Sequence, residues 1–248
     1  MEDRRSGCLT CGAELVYLAA AERMSCALCG APAESAARCT AGHFVCDGCH
    51  SGSAKDVIER ACLVAGGDDP LAIARALMRH PKLKLHGPEH HFLVPAALLA
   101  AHANARGERA GLARLLAEAR RRSDPVAGGF CGFQGACGAA VGAGIYASLA
   151  TGATPLSREP WALANAATAR ALDVLAKVGG PRCCKRTTGL VLLATVRFAR
   201  ERLGVPLASS SAPCEFADAN AECIEGRCPF YPRASAPGAG QVRIPSTV

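Results

Sequence analysis

The cysteines constrain this chain more than any other feature. There are 15 of them in 248 residues, and the polar start, residues 1–5, carries no hydrophobic secretion signal. We therefore expect a cytoplasmic protein in which a reducing environment keeps the thiols free. At this density, free cysteines indicate metal-binding or redox chemistry rather than a fold held together by disulfides.

The composition favours helices. Half of the residues are hydrophobic but only 4% are aromatic, which suits packed helices better than sheets. Apolar residues recur at three- and four-residue spacing in 56–64, 70–78 and 110–122, which predicts a helix in each range. The fold class predicted is mainly α: a helical bundle with a small N-terminal zinc-ribbon or knuckle module and an irregular, cysteine-containing C-terminal segment. The net charge of +7 is typical of a solvated surface and only weakly favours RNA as a partner.

Three zones follow one another along the chain. Residues 1–53 are predicted to form a cysteine-rich metal-binding module, residues 54–232 a helical domain with a second set of cysteines, and residues 233–248 a disordered tail. The uncharged stretch 136–153 approaches membrane-spanning length, but its glycines favour a tightly packed buried helix. No membrane association is expected.

Pairs of metal-ligand residues recur in the first zone. Their spacing is that of zinc knuckles, and eight ligands are the number that two tetrahedral zinc ions require. The ions could be bound by consecutive pairs or by alternating pairs, as in a cross-brace, and an iron–sulfur centre is the alternative to zinc. The module would dock a partner or act as a structural staple. The ligands are Cys8 and Cys11, Cys26 and Cys29, Cys39 and His43, and Cys46 and Cys49.

Seven further cysteines lie beyond residue 130, and we expect them to converge into one reactive pocket. Two lie on a glycine-rich turn that opens a helix, and two are adjacent and flanked by the cations Arg182 and Lys185. Helix N-termini and cations lower the pKa of thiols, so partly ionised, nucleophilic thiols are expected near neutral pH. The seven are Cys131, Cys137, Cys183, Cys184, Cys214, Cys223 and Cys228.

The last three of these cysteines suggest a cofactor. Cys228 is followed by Pro229, as at the end of many iron–sulfur ligand runs. Three such ligands need a fourth, for which Cys183 or Cys184 is the candidate. Redox thiols without metal, or a third zinc ion, are the alternatives.

A histidine cluster, His86-Gly-Pro-Glu-His-His, formally matches an inverted zinc-protease motif. The Gly-Pro step starts a helix after His86 and removes the required helical geometry. Glu89 and His90 are expected either to carry protons for the cysteine site or simply to form a polar helix N-terminus.

Two family resemblances follow from these residues. The stretch 131–184, with Cys-Gly-Ala-Ala-Val-Gly at 137–142, resembles the small, helical, redox-associated C-GCAxxG-C-C family. Over nearly its full length, the chain resembles an uncharacterised cysteine-rich family of anaerobes that shares the knuckles, the histidine cluster and Gly-Pro-Arg-Cys-Cys-Lys-Arg. That resemblance implies a partner such as a radical-SAM enzyme or a methyltransferase.

Two functional hypotheses result. The first is a metalloprotein with a redox or sulfur-handling cysteine site in its helical domain, acting in a modification pathway. Its catalytic residues would be Cys183, Cys184, Cys131, Cys137, His90 and Glu89, and its cofactor-binding residues Cys214, Cys223, Cys228, Arg182 and Lys185. The second is a non-enzymatic zinc-binding adaptor for protein or RNA.

Overall fold

The computed structural model describes residues 8–46, 49 and 52–232. The predicted disordered tail, 233–248, lies outside the described residues. The prediction of a mainly helical fold is confirmed, because helices make up most of the regular structure and one two-stranded sheet accompanies them. No helix of the described ranges is both long and apolar enough to cross a membrane.

The sheet is an antiparallel ribbon near the N-terminus. Strand β1 (Leu15–Ser25) pairs with β2 (Pro32–Cys39). Leu15 lies opposite Cys39 at one end, and Ser25 lies opposite Pro32 at the other. Most side chains of the ribbon are at least partly exposed. The sequence therefore lacks the alternation of apolar and polar residues from which strands are predicted.

Helices make up most of residues 54–203, whereas the C-terminal segment, residues 204–232, is irregular apart from one 3₁₀ turn, Glu225–Arg227. Two helices begin with side-chain caps that are legible in the sequence: Ser53 and Asp56 form a capping box at the first, and Asp69 caps the second, with Pro70 in its first turn. The helices are α1 (Ala54–Val64), α2 (Pro70–Met78), α3 (Glu89–Arg106), α4 (Leu112–Ser123), α5 (Phe130–Phe133), α6 (Gly138–Thr151), α7 (Glu159–Val178) and α8 (Cys184–Phe198), which continues as a π-helical turn, Ala199–Leu203.

Helix α3 is the centre of the bundle. It packs against α1, α2, α4, α6 and α8, and most of its residues are buried. Glycines on α6 allow a close approach: a Cβ atom at Gly142 would lie 2.8 Å from Cδ of Pro95 on α3. The glycine-containing stretch is therefore a buried packing helix, as its sequence predicts.

Candidate metal centres

Two tight turns shape the first two ligand pairs. The amide of Gly12 donates to the carbonyl of Cys8, and that of Gly30 donates to the carbonyl of Cys26, both at 2.8 Å. Both glycines have φ near +70° (+75° and +67°), a conformation that other residues rarely adopt. Each turn thus closes so that the two thiols of a pair face the same side.

The ribbon decides which pairs meet. Because β1 and β2 are antiparallel, Cys39 at the end of β2 lies beside the start of β1. The Cys8–Cys11 turn immediately precedes β1 and lies at the same end of the ribbon. The chain then returns along the ribbon, and Phe44 bridges to Cys26 at the opposite end. The ligand pairs therefore alternate between the two sites, which is the cross-brace of the two arrangements that the sequence allows.

The first site consists of Cys8, Cys11, Cys39 and His43, whose ligand atoms all lie within 4.8 Å of one another. The Sγ atoms of Cys11 and Cys39 are 3.8 Å apart, and Nδ1 of His43 is 3.3 Å from Sγ of Cys11. Metal bonds of about 2.3 Å to sulfur and 2.0 Å to nitrogen at tetrahedral angles give separations of about 3.8 and 3.5 Å. The site fits one tetrahedral metal ion.

The second site consists of Cys26, Cys29, Cys46 and Cys49, with ligand atoms again within 4.8 Å of one another. The Sγ atoms of Cys29 and Cys46 are 3.6 Å apart. Burial alone would raise the pKa of Cys26, but the backbone amides of Cys46, Cys29 and Leu28 lower it to about 7. Amides that stabilise a thiolate are the usual surroundings of a metal-bound cysteine.

A first cavity lies between α8 and the C-terminal segment. Four cysteines line it: Cys183, Cys214, Cys223 and Cys228. Its volume is about 60 Å³, several times the roughly 10–15 Å³ that one water molecule requires. The fold thus brings Cys183 together with the three C-terminal cysteines, from which it is distant in sequence.

A second, larger cavity of about 660 Å³ lies on the other side of the start of α8. The remaining three cysteines of the second set line it: Cys131, on the short helix α5; Cys137, at the N-cap of α6; and Cys184, the first residue of α8. Its walls also include glycines of the segment 128–138 and the Gly179-Gly180-Pro181 turn.

The expectation of a single reactive pocket is therefore wrong. Cys183 and Cys184 are adjacent in sequence, but they line different cavities. Cys183 caps α8 and accepts a hydrogen bond from the amide of Arg186 at 3.4 Å, whereas Cys184 already belongs to the helix. Successive side chains at a helix start point in different directions, which separates the two thiols.

The pKa values of Cys184 and Cys137 are also higher than the sequence predicts. Burial raises the pKa of Cys184 to about 11, although the amide of Gly87 and the cation of Arg182 act in the opposite direction. Burial likewise raises the pKa of Cys137. The cost of desolvating a thiolate thus outweighs the nearby amides and, at Cys184, the cation of Arg182.

The cations are divided between the cavities as well. Lys185 lines the first cavity and Arg182 the second. Two further polar residues were not among the sequence candidates: Arg186 lines both cavities, and the side-chain amide of Asn220 is 3.5 Å from Sγ of Cys183. Arg186 belongs to the basic segment that flanks the cysteines, but no sequence signal marks Asn220.

His90 and Glu89 are held by structural hydrogen bonds. In His90, Nε2 lies 3.1 Å from the carbonyl oxygen of Lys84, and Nδ1 lies 3.0 Å from the hydroxyl of Thr188. The carboxylate of Glu89 accepts a hydrogen bond from the amide of Lys84. Their role as proton carriers stays a prediction.

Comparison with known proteins gives one relationship. Neither the curated proteins nor the solved structures yield a match. A family model matches residues 58–231, which include both cavities and all seven cysteines beyond residue 130, and the knuckle module precedes the matched range. The chain therefore belongs to DUF5714, a family of unknown function.

Proposed function

We propose that the helical domain binds an iron–sulfur cluster through Cys183, Cys214, Cys223 and Cys228, and that the protein is a redox metalloprotein. When bound, such a cluster supplies one-electron chemistry. The observation that carries the proposal is that these four cysteines, distant in sequence, line one cavity, and that three of their sulfur atoms accept a backbone hydrogen bond.

The three hydrogen bonds are all local in sequence. The amides of Phe216 and Glu225 each donate, at 3.4 Å, to the cysteine two residues earlier in the chain. The amide of Arg186 donates to Cys183, three residues earlier, also at 3.4 Å. Burial raises the pKa of Cys228, and the amide of Phe230 acts in the opposite direction. Hydrogen bonds to sulfur stabilise bound thiolates and tune the reduction potential of a cluster.

The spacing favours a cluster over a single ion. Among the described residues, only the two sites of the knuckle module have three or more ligand atoms within 4.8 Å of one another. The four sulfurs of the first cavity are therefore more widely spread than one tetrahedral ion requires. A four-iron cluster accommodates such a spread, because each of its four cysteines binds a different iron atom.

Two buried cations supply the matching charge. Lys185 and Arg186 are each 5% exposed. The ammonium group of Lys185 donates to the carbonyls of Met78 and Leu83, and Arg186 donates to those of Gly179 and Pro181. Carbonyl oxygens solvate both charges, and the carboxylate of Glu89 offsets part of the charge of Lys185. The positive charge that remains favours a nearby anionic centre. A cluster held by four thiolates has that negative charge.

The test is reconstitution of the full chain with iron and sulfide in the absence of oxygen. Cys228→Ser is expected to lose about four iron atoms and the associated sulfide per chain. Cys62→Ala is the matched control, because Cys62 is a core residue of α1 that lines neither cavity. A colourless protein with zinc in the first cavity and no labile sulfide would refute the proposal.

The family resemblance suggests where the electrons go. An enzyme of the radical-SAM or methyltransferase class would receive them, with the knuckle module as the docking element. Tyr17 on β1 supports that role, because its side chain is 81% exposed and aromatic residues are enriched at protein interfaces. Deletion of the module should then abolish binding of the partner while leaving the iron content of the helical domain unchanged.

A further inference from the structure

The second cavity carries a site of its own. We propose that Cys131, Cys137 and Cys184 bind a second iron–sulfur cluster, and that one of its iron atoms remains open to a small anionic molecule in the cavity. This centre is distinct from the four-cysteine cluster and does not depend on it.

The sulfur atoms have the surroundings of ligands. Cys137 is the N-cap of α6 and Cys184 is the first residue of α8, so both sulfur atoms lie at helix N-termini, where backbone amides without a helical partner favour a thiolate. The three thiols line one cavity, yet they do not lie within 4.8 Å of one another, which again fits a cluster better than one ion.

Three cysteines leave a coordination position unfilled. A cluster of four irons with three cysteine ligands has one iron without a protein thiolate. The cavity, at about 660 Å³, is within the range of about 300–1,000 Å³ that small-molecule sites occupy. It therefore has room for a ligand beside the cluster.

The lining indicates the charge of that ligand. None of the described residues that line the cavity is acidic. Arg182 and Arg186 contribute positive charge, and the N-termini of α6 and α8 open onto it. His91 also lines the cavity, and its Nδ1 lies 3.0 Å from the carbonyl of Val126. That bond requires a proton on Nδ1 and leaves Nε2 as an acceptor. Taken together, the cations and helix N-termini favour a small anion.

Iron counts test the second cluster separately from the first. The reconstituted full chain is expected to bind about eight iron atoms in the two clusters, and Cys137→Ser about four. The Cys228→Ser variant should lose the other four. If Cys137→Ser keeps the full iron content, the second cluster is refuted, whereas the four-cysteine cluster stands as long as Cys228→Ser loses iron.

A spectroscopic measurement tests the open position. Cyanide, a small anion that binds iron, is expected to change the electron paramagnetic resonance spectrum of the reduced wild-type protein. It should leave the spectrum of Cys137→Ser unchanged, and the remaining four-cysteine signal shows that this variant is folded. A wild-type spectrum that does not respond to cyanide would refute the open position.

Discussion

Replacement of Gly142 by alanine tests the close packing of α6 on α3. The added methyl carbon would lie 2.8 Å from Cδ of Pro95, 2.9 Å from the carbonyl oxygen of His91 and 3.2 Å from Cβ of Val94. Favourable contacts between carbon atoms are about 3.5–4.0 Å. A proline ring and a backbone carbonyl cannot rotate away, so the two helices must separate.

The expected magnitude follows from two opposing effects. Overpacking of a core costs about 1–3 kcal/mol, and the rigid neighbours place this substitution in the upper part of that range. Alanine recovers about 1 kcal/mol relative to glycine within a helix. The net destabilisation is therefore about 1–2 kcal/mol, which corresponds to a fall in Tm of about 2–8 °C for a domain of this size.

Thermal unfolding of the full chain at equal metal content measures this effect. Gly111→Ala is the control, because no atom lies within 4 Å of the added methyl group and its φ of −92° is open to alanine. Its Tm should change by less than about 2 °C. A Gly142→Ala variant as stable as the wild type would refute the argument from close packing.

Three further predictions follow from the sites and the core. The double variant Cys11→Ser/Cys39→Ser should lose one metal ion of the knuckle module, because both residues belong to one site, whereas Cys11→Ser/Cys29→Ser should lose both ions. Elemental analysis counts the ions, and the opposite result would indicate consecutive pairing. Burial lowers the pKa of His90 to about 3, so the stability that neutral His90 provides is complete above about pH 6.5 and is lost as the pH falls toward 3. The Tm of His90→Gln should therefore fall less steeply with acidification than that of the wild type, and equal slopes would contradict this assignment. Burial raises the pKa of Cys62 to about 12, so iodoacetamide should label it only after unfolding; labelling of the folded chain, detected by peptide mass spectrometry, would show that the site opens.

Much of the helical domain could be predicted from local sequence. The helix at Pro70–Met78 is predicted with the bounds that the structure has, because its apolar spacing, its Asp69 cap and its first-turn proline all act within a few residues. The metal ligands of the knuckle module were equally legible, since ligand spacing is a local property. Each of these signals needs no knowledge of the tertiary fold.

Other features depend on contacts that are distant in sequence. The alternation of ligand pairs follows from the register of the ribbon, in which Leu15 faces Cys39, and exposed strands gave no pattern from which to infer it. The separation of Cys183 from Cys184 depends on where α8 begins. Asn220 reaches Cys183 only through the path of the C-terminal segment.

The start of α8 gives the two cavities a common boundary. Cys183 and Cys184 are joined by a single peptide unit, so their α-carbons are about 3.8 Å apart. A displacement of this turn on one side therefore moves the backbone on the other side, and Arg186, which lines both cavities, adds a side-chain connection. Molecules bound in the two cavities would thus share one wall, the backbone at the start of α8.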